Sequence, residues 1–257
     1  MRVVLITGLL ATALSLPCAG TDGSNDLAAG VAQFRAASQA WSLAGMQEAA
    51  ATLARACEAE RASARTHSWA GTAYFYMVLL HFGDDSKASR RAADAALANA
   101  LTVLERASKL DPADAETHAL LSTIHGMRIA ARPATAIWRG PKSVKHRKLA
   151  LASGSRSPRV CYLIGMSYLF APEFVGGASE GLKLLLEGER LYGEEAQQAR
   201  PALTPSWGYD HCLAFIGQAY ERQGDVVKAE VYYRASLAKN PEHNLAKEGL
   251  ERCLAQE

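Results

Sequence analysis

The chain has 257 residues, 49% of them hydrophobic and 21% charged, with a formal net charge of +2. That apolar content excludes a disordered chain, and 20 glycines with 9 prolines exclude a collagen-like repeat. Aromatic residues make up only 7%, which favours helices over sheets, because strands draw on aromatic and β-branched side chains.

The N-terminus reads as an address. Arg2 is followed by an apolar run over 3–16 and then by Pro17, Cys18, Ala19 and Gly20. A positive start, a short apolar stretch and small residues at its end predict a secretory signal peptide over 1–20, cleaved after Ala19 or Gly20. The run is too short for a transmembrane helix. Lipid anchoring at Cys18 is the weaker alternative, because Leu16-Pro17 stands where a lipobox needs small residues. The expected mature chain is soluble, exported and periplasmic, with a flexible lead-in over 21–30. Its four cysteines, Cys57, Cys161, Cys212 and Cys253, are widely spaced and form no C-x-x-C pair. Buried unpaired thiols are the favoured reading, with one disulfide among them left open.

From residue 31 onward the apolar positions keep helical spacing and no period-two alternation persists, which predicts an all-α fold. The first unit, 31–64, carries Phe34, Ala37, Ser38, Trp41, Gly45, Ala50, Ala54 and Cys57. The second begins at Ala64 with Gly71 and Tyr74 and contains a long helix over 86–110. The third begins at Ala115 with His118, Leu121, Ser122 and His125, and a long turn over 132–142 follows. The fourth begins at Pro158 with Cys161, Ile164, Gly165 and Tyr168, turns over 171–178, and resumes with Gly181, Leu185 and Gly188. An irregular connection occupies 193–207. The fifth unit, 210–243, is the clearest: Leu213, Ile216, Gly217, Tyr220, Gly224-Asp225, Ala229, Tyr233, Ser236 and Pro241 within 34 residues. Small residues let two helices cross closely, large ones fill the gap, Gly-Asp reverses the chain and Pro241 stops the second helix.

Slot for slot, this last unit resembles a tetratricopeptide (TPR) repeat. The resemblance implies a TPR-like helical solenoid of about five degenerate repeats over 31–257, some eleven helices, with 244–257 as a C-terminal capping helix. Over 115–243, the Gly140-Pro141-Lys142 loop, the loop at 172–177 and the Trp207-Gly208 helix start resemble a family of exported bacterial TPR proteins. The architecture is also similar to the periplasmic TPR-type component that accompanies some TRAP transporters. Both likenesses imply a binding or assembly role.

In such a solenoid the first helix of each repeat lines an inner groove. The lining slots hold Phe75, Tyr76, Met127, Tyr162, Met166, Leu169 and Phe170, and turn polar only at His211, Gln218, Glu221 and Arg222. Two readings stay open: loops or the N-terminal helix cover this apolar face as core, or it is a pocket for an apolar ligand or a helical peptide. The long turns should bring Trp138, Arg139, Lys142 and Phe174 together as a lip beside it. Between Thr117 and Pro172 there is no Asp or Glu, but there are nine basic residues: Arg128, Arg132, Arg139, Lys142, Lys145, Arg147, Lys148, Arg156 and Arg159. A basic middle points to an anionic contact, such as an acidic partner or an anionic membrane surface, and nucleic acid is not expected for an exported chain. The alternative is a solvated face balanced by neighbouring acids.

No phosphate loop, nucleophile elbow or HExxH pattern occurs, so no catalytic residue, cofactor or metal is expected. His118 and His125 read as core histidines, and His211 is the histidine to test. The expected function is a non-enzymatic, protein-binding scaffold or adaptor in the cell envelope. The alternative is a carrier of a hydrophobic, lipid-like small molecule working with a transport system.

Overall fold

The computed structural model describes residues 23–172 and 175–256, so the predicted signal peptide and Phe174 lie outside the described residues. Eleven α-helices follow one another, with no strand among the described residues: α1 (Gly23–Gln39), α2 (Leu43–Glu58), α3 (Ala64–Leu79), α4 (Lys87–Leu110), α5 (Ala115–Ala131), α6 (Ala136–Gly154), α7 (Pro158–Leu169), α8 (Gly177–Glu195), α9 (Tyr209–Arg222), α10 (Val226–Lys239) and α11 (Asn244–Leu254). Consecutive helices pack as five hairpins, α1/α2 through α9/α10, and α11 closes the stack against α9 and α10. This is the all-α, TPR-like solenoid expected from the repeat pattern. No described helix is long and apolar enough to cross a membrane.

The turns follow from their residues. Ser42, Ser63, Ser86, Asp114, Ser157 and Asp225 each accept a backbone N–H of the helix they precede. Such a cap satisfies a donor that the first helical turn leaves unpaired. Gly224 takes φ +77° and lets the chain reverse into the Asp225 cap. The hairpins close where small residues face large ones. A methyl group on Gly217 would lie 2.9 Å from the Tyr233 ring, and one on Gly165 would lie 2.9 Å from the Gly181 carbonyl oxygen. Tyr233, Ala229, Ile216 and Ser236 are fully buried. Cys57, Cys161 and Cys212 are free thiols.

Three details differ from the sequence reading. Helix α1 already begins at Gly23, inside the stretch expected as a flexible lead-in, because Leu27 and Val31 are buried and anchor it. In the first unit Trp41 is not in the first helix. It occupies the α1–α2 turn at φ +48°, so the repeat register there starts about one helical turn earlier. The long turn expected over 132–142 is mostly helix: a 3-10 turn, Pro133–Thr135, leads into α6, which continues through Gly140 and Pro141. Pro141 removes only its own N–H bond to Ile137, and both residues are exposed, so water can take up that carbonyl.

Candidate functional site

The concave face is filled. Phe75, Tyr76, Tyr162, Met166, Leu169 and His211 are buried, and Met127 packs partly buried against the same core. What covers them is the connection after α8. Trp207 sits between Tyr76 and Tyr162, with ring centroids 6.0 and 6.5 Å away. Its carbonyl accepts from the Tyr192 hydroxyl at 3.0 Å. The same segment reaches the N-terminal helices: Trp69 Nε1 donates to the Leu203 carbonyl at 3.1 Å, and an Arg35 Nη donates to that of Ala202 at 2.6 Å. Of the predicted apolar groove residues, Phe170 alone is turned outward, 51% exposed, with the guanidinium of Arg222, itself exposed, 4.3 Å from its ring centre.

The α1–α2 turn completes the closure against the last repeat. Trp41 stacks on His211 at 5.4 Å and lies 4.3 Å from His243. Asn240 Nδ2 donates to the Ser38 carbonyl at 3.1 Å, across some 200 residues of sequence. At this seam Tyr76 Oη, Tyr162 Oη, His211 Nε2 and His243 Nε2 are buried without a hydrogen-bond partner among the described residues. Burial raises the Tyr76 and Tyr162 hydroxyls well above an ordinary phenol. Burial and the neighbouring His211 push His243 down to about 3. For the Asp210 carboxyl, burial pulls upward, but His211, His243 and Asn240 more than offset it, leaving it well below the usual carboxylate range.

Apart from Phe174, the predicted lip and basic-patch residues Trp138, Arg139, Lys142, Lys145, Arg147 and Lys148 lie on α6, not on a turn. Ile137 is 79% and Trp138 54% exposed, and Lys142, Lys145, Lys148 and Leu149 are exposed on the same side. These positions span less than half the helix circumference at 100° per residue. Among the described residues, no ion pair holds the three lysines. Four of the other six basic residues are engaged. Arg128 and Arg132 pair with Asp94 at 3.5 and 2.8 Å, and Arg147 lies over the Tyr168 ring at 5.0 Å. Arg159 does not belong to a surface patch: it is buried and bound by Glu116 and, through both terminal nitrogens, by Glu195. The basic edge extends instead to a cleft of about 460 Å³ lined by Lys87, Arg90, Arg91, Asp94 and Arg132.

His118 and His125 are buried, as expected of core residues, but sequence reading missed their partner on α6. His146 Nδ1 lies 3.0 Å from His118 Nδ1, and its ring stacks 6.1 Å from that of His125. Burial, His146 and Arg139 push His125 down to about 4, and burial, His118 and Lys145 do the same to His146. The α5/α6 hairpin alone brings His146, 28 residues on, against His118.

No family model matches the chain, and a search of curated proteins returns no match. Among solved structures, the HusA haemophore from Porphyromonas gingivalis is similar with a TM-score of 0.60 and 20% identity, covering 79% of this chain and 96% of that one. MamA is similar with a TM-score of 0.37 and 13% identity, covering 66% of this chain and 94% of that one. The consecutive helix hairpins make the class a TPR-like helical solenoid, and at 20% identity the likeness to HusA is one of fold.

Proposed function

We propose that this chain is an exported, non-enzymatic repeat protein that docks onto an acidic protein partner in the cell envelope through the outer face of α6. The observation that carries this reading is the co-location of exposed Ile137 and Trp138 with Lys142, Lys145 and Lys148 on a helix whose outer side no other element covers. Exposed aromatic anchors ringed by charge are the composition of a binding patch, and the lysines supply steering. A photo-crosslinking residue at Ile137, used in the intact cell, should give one discrete protein adduct. The triple variant K142E/K145E/K148E should lose that adduct and keep its helical circular dichroism. A lipid adduct, or an adduct indifferent to the triple change, overturns the reading.

A second reading is a carrier of a hydrophobic small molecule. It is favoured by one combination: an aromatic concave face with unpartnered Tyr76 and Tyr162 hydroxyls, in a fold like that of a haemophore. A ligand there would have to displace the Trp207 segment. Organic extraction of purified protein followed by mass spectrometry tests it: one molecule per chain supports the carrier, and an empty extract removes it.

A further inference from the structure

Asp210 and His211 open α9, and His243 caps α11, so the fold brings 210 and 243, one repeat apart, to one point beneath Trp41. We propose that Asp210, His211 and His243 form a binding site for one divalent transition-metal ion of the zinc class. The carboxylate oxygen and the ring nitrogens that these residues offer all lie within 4.8 Å of one another. Both histidines are essentially inaccessible, His211 at 2% and His243 at 0% exposure, and each leaves its Nε2 without a partner among the described residues. A buried polar group left unpaired is costly, and coordination offsets that cost. At His243 the gain is set against loss of the Ala246 N–H bond that its Nδ1 accepts at 3.4 Å, because ligation by Nε2 moves the ring proton to Nδ1.

The surroundings suit a ligand set. Asp210 accepts from Asn240 Nδ2 at 3.2 Å and lies 3.1 Å from His211 Nδ1. The Asn240 bond is an outer hydrogen bond of the kind that orients a ligating carboxylate, while the His211 contact joins two of the proposed ligands. Donors sharing an ion at about 2.0–2.2 Å lie roughly 3–4 Å apart, so the three groups need draw in by about 1 Å. Two imidazoles and one carboxylate select Zn²⁺, Co²⁺ or Ni²⁺ over Ca²⁺ and Mg²⁺, which call for oxygen ligands alone. The ion would tie the start of α9 to the α10–α11 turn, directly under the Trp41 ring that closes the solenoid.

Co²⁺ added to the full chain tests this. The expected result is one ion retained per chain on dialysis, visible d–d absorption, and quenching of tryptophan emission that saturates at one equivalent. Asp210→Asn, which keeps the side-chain shape, and His243→Gln should each weaken binding at least tenfold while retaining the helical spectrum. His146→Asn, in the separate histidine pair of α5 and α6, should leave it unchanged. Absence of retained ion in the wild-type chain overturns the proposal. So does a thiolate charge-transfer band, which would place the ion on cysteine, undiminished binding in Asp210→Asn, or loss of binding in His146→Asn.

Discussion

The hairpins α9/α10 and α5/α6 are built from the same repeat plan and held together by different chemistry. In α9/α10 the seam is small against large: Gly217 admits Tyr233, Ala229 is fully buried, and Ser236 Oγ donates to the Asp210 carbonyl at 2.9 Å. In α6 only Ala150 and Gly154 are buried. The helix is held on α5 by polar pairs instead. Ser122 and Ser143 each donate to the other's carbonyl at 3.0 Å, and His146 meets His118. A helix that buries little apolar surface is cheap to detach and free to present its outer face to something else. One hairpin serves as frame; the other is the proposed docking edge.

The largest contrast should come from truncating the frame. Tyr233→Ala removes a fully buried ring between α9, α10 and α11, and a buried aromatic truncation costs about 3–5 kcal/mol. Chemical denaturation should show a correspondingly lower midpoint. Leu149→Ala on α6, at a half-exposed position, should change stability by less than about 1 kcal/mol. Equal losses at the two positions would end the distinction between frame and edge.

Acid should separate the two hairpins next. His125 and His146 are held at about 4 against an ordinary value of 6.5. The detached form therefore binds protons more readily, so the α5–α6 contact is at full strength above pH 6.5 and weakens as pH falls from 6.5 toward 4. The groups facing these rings are His118, Arg128, Arg139, Lys142 and Lys145, with no carboxylate among the causes that set the two histidines. Hydrogen exchange of α6 amides should accelerate in that window. The α10 amides should go on losing protection below pH 4, since His243 at the α10–α11 turn is held lower still, at about 3. In His146→Asn the step should shrink, and an unchanged α6 profile would remove the histidines as its cause.

How far the sequence foretold these features depends on where each signal is local. The Gly224-Asp225 turn, the small–large alternation of 210–243 and the helix expected at 86–110 all rest on neighbours within one repeat, and Ser86 does cap α4. Gly140-Pro141 misled for the opposite reason. Local breakers were read as a turn, whereas tertiary contact with α5 carries α6 through them at an exposed position. The filling of the concave face by Trp207, and the meeting of Asp210 with His243 under Trp41, depend on superhelix closure across some 130–200 residues, which no local pattern encodes.

The smallest expected difference lies at the helix starts. Asp225 accepts from Lys228 N at 3.1 Å with its own backbone outside the helical region, at φ −87° and ψ 73°, so Asp225→Ala should cost about 1 kcal/mol. Thr135 precedes α6 and makes no side-chain cap bond. Its backbone is already helical because the 3-10 turn runs straight into the helix, and its hydroxyl donates backward to the Arg132 carbonyl at 2.8 Å. Without an extended residue at this position, its oxygen is not aimed at the first free N–H groups of α6. Thr135→Ala should therefore stay within about 0.5 kcal/mol, as exposed substitutions do. A Thr135→Asp change should not stabilise α6 either, since the backbone there does not offer a cap position. If Thr135→Asp raised the melting midpoint as much as Asp225→Ala lowers it, α6 would begin in the same way as α10, and its looseness would need another cause.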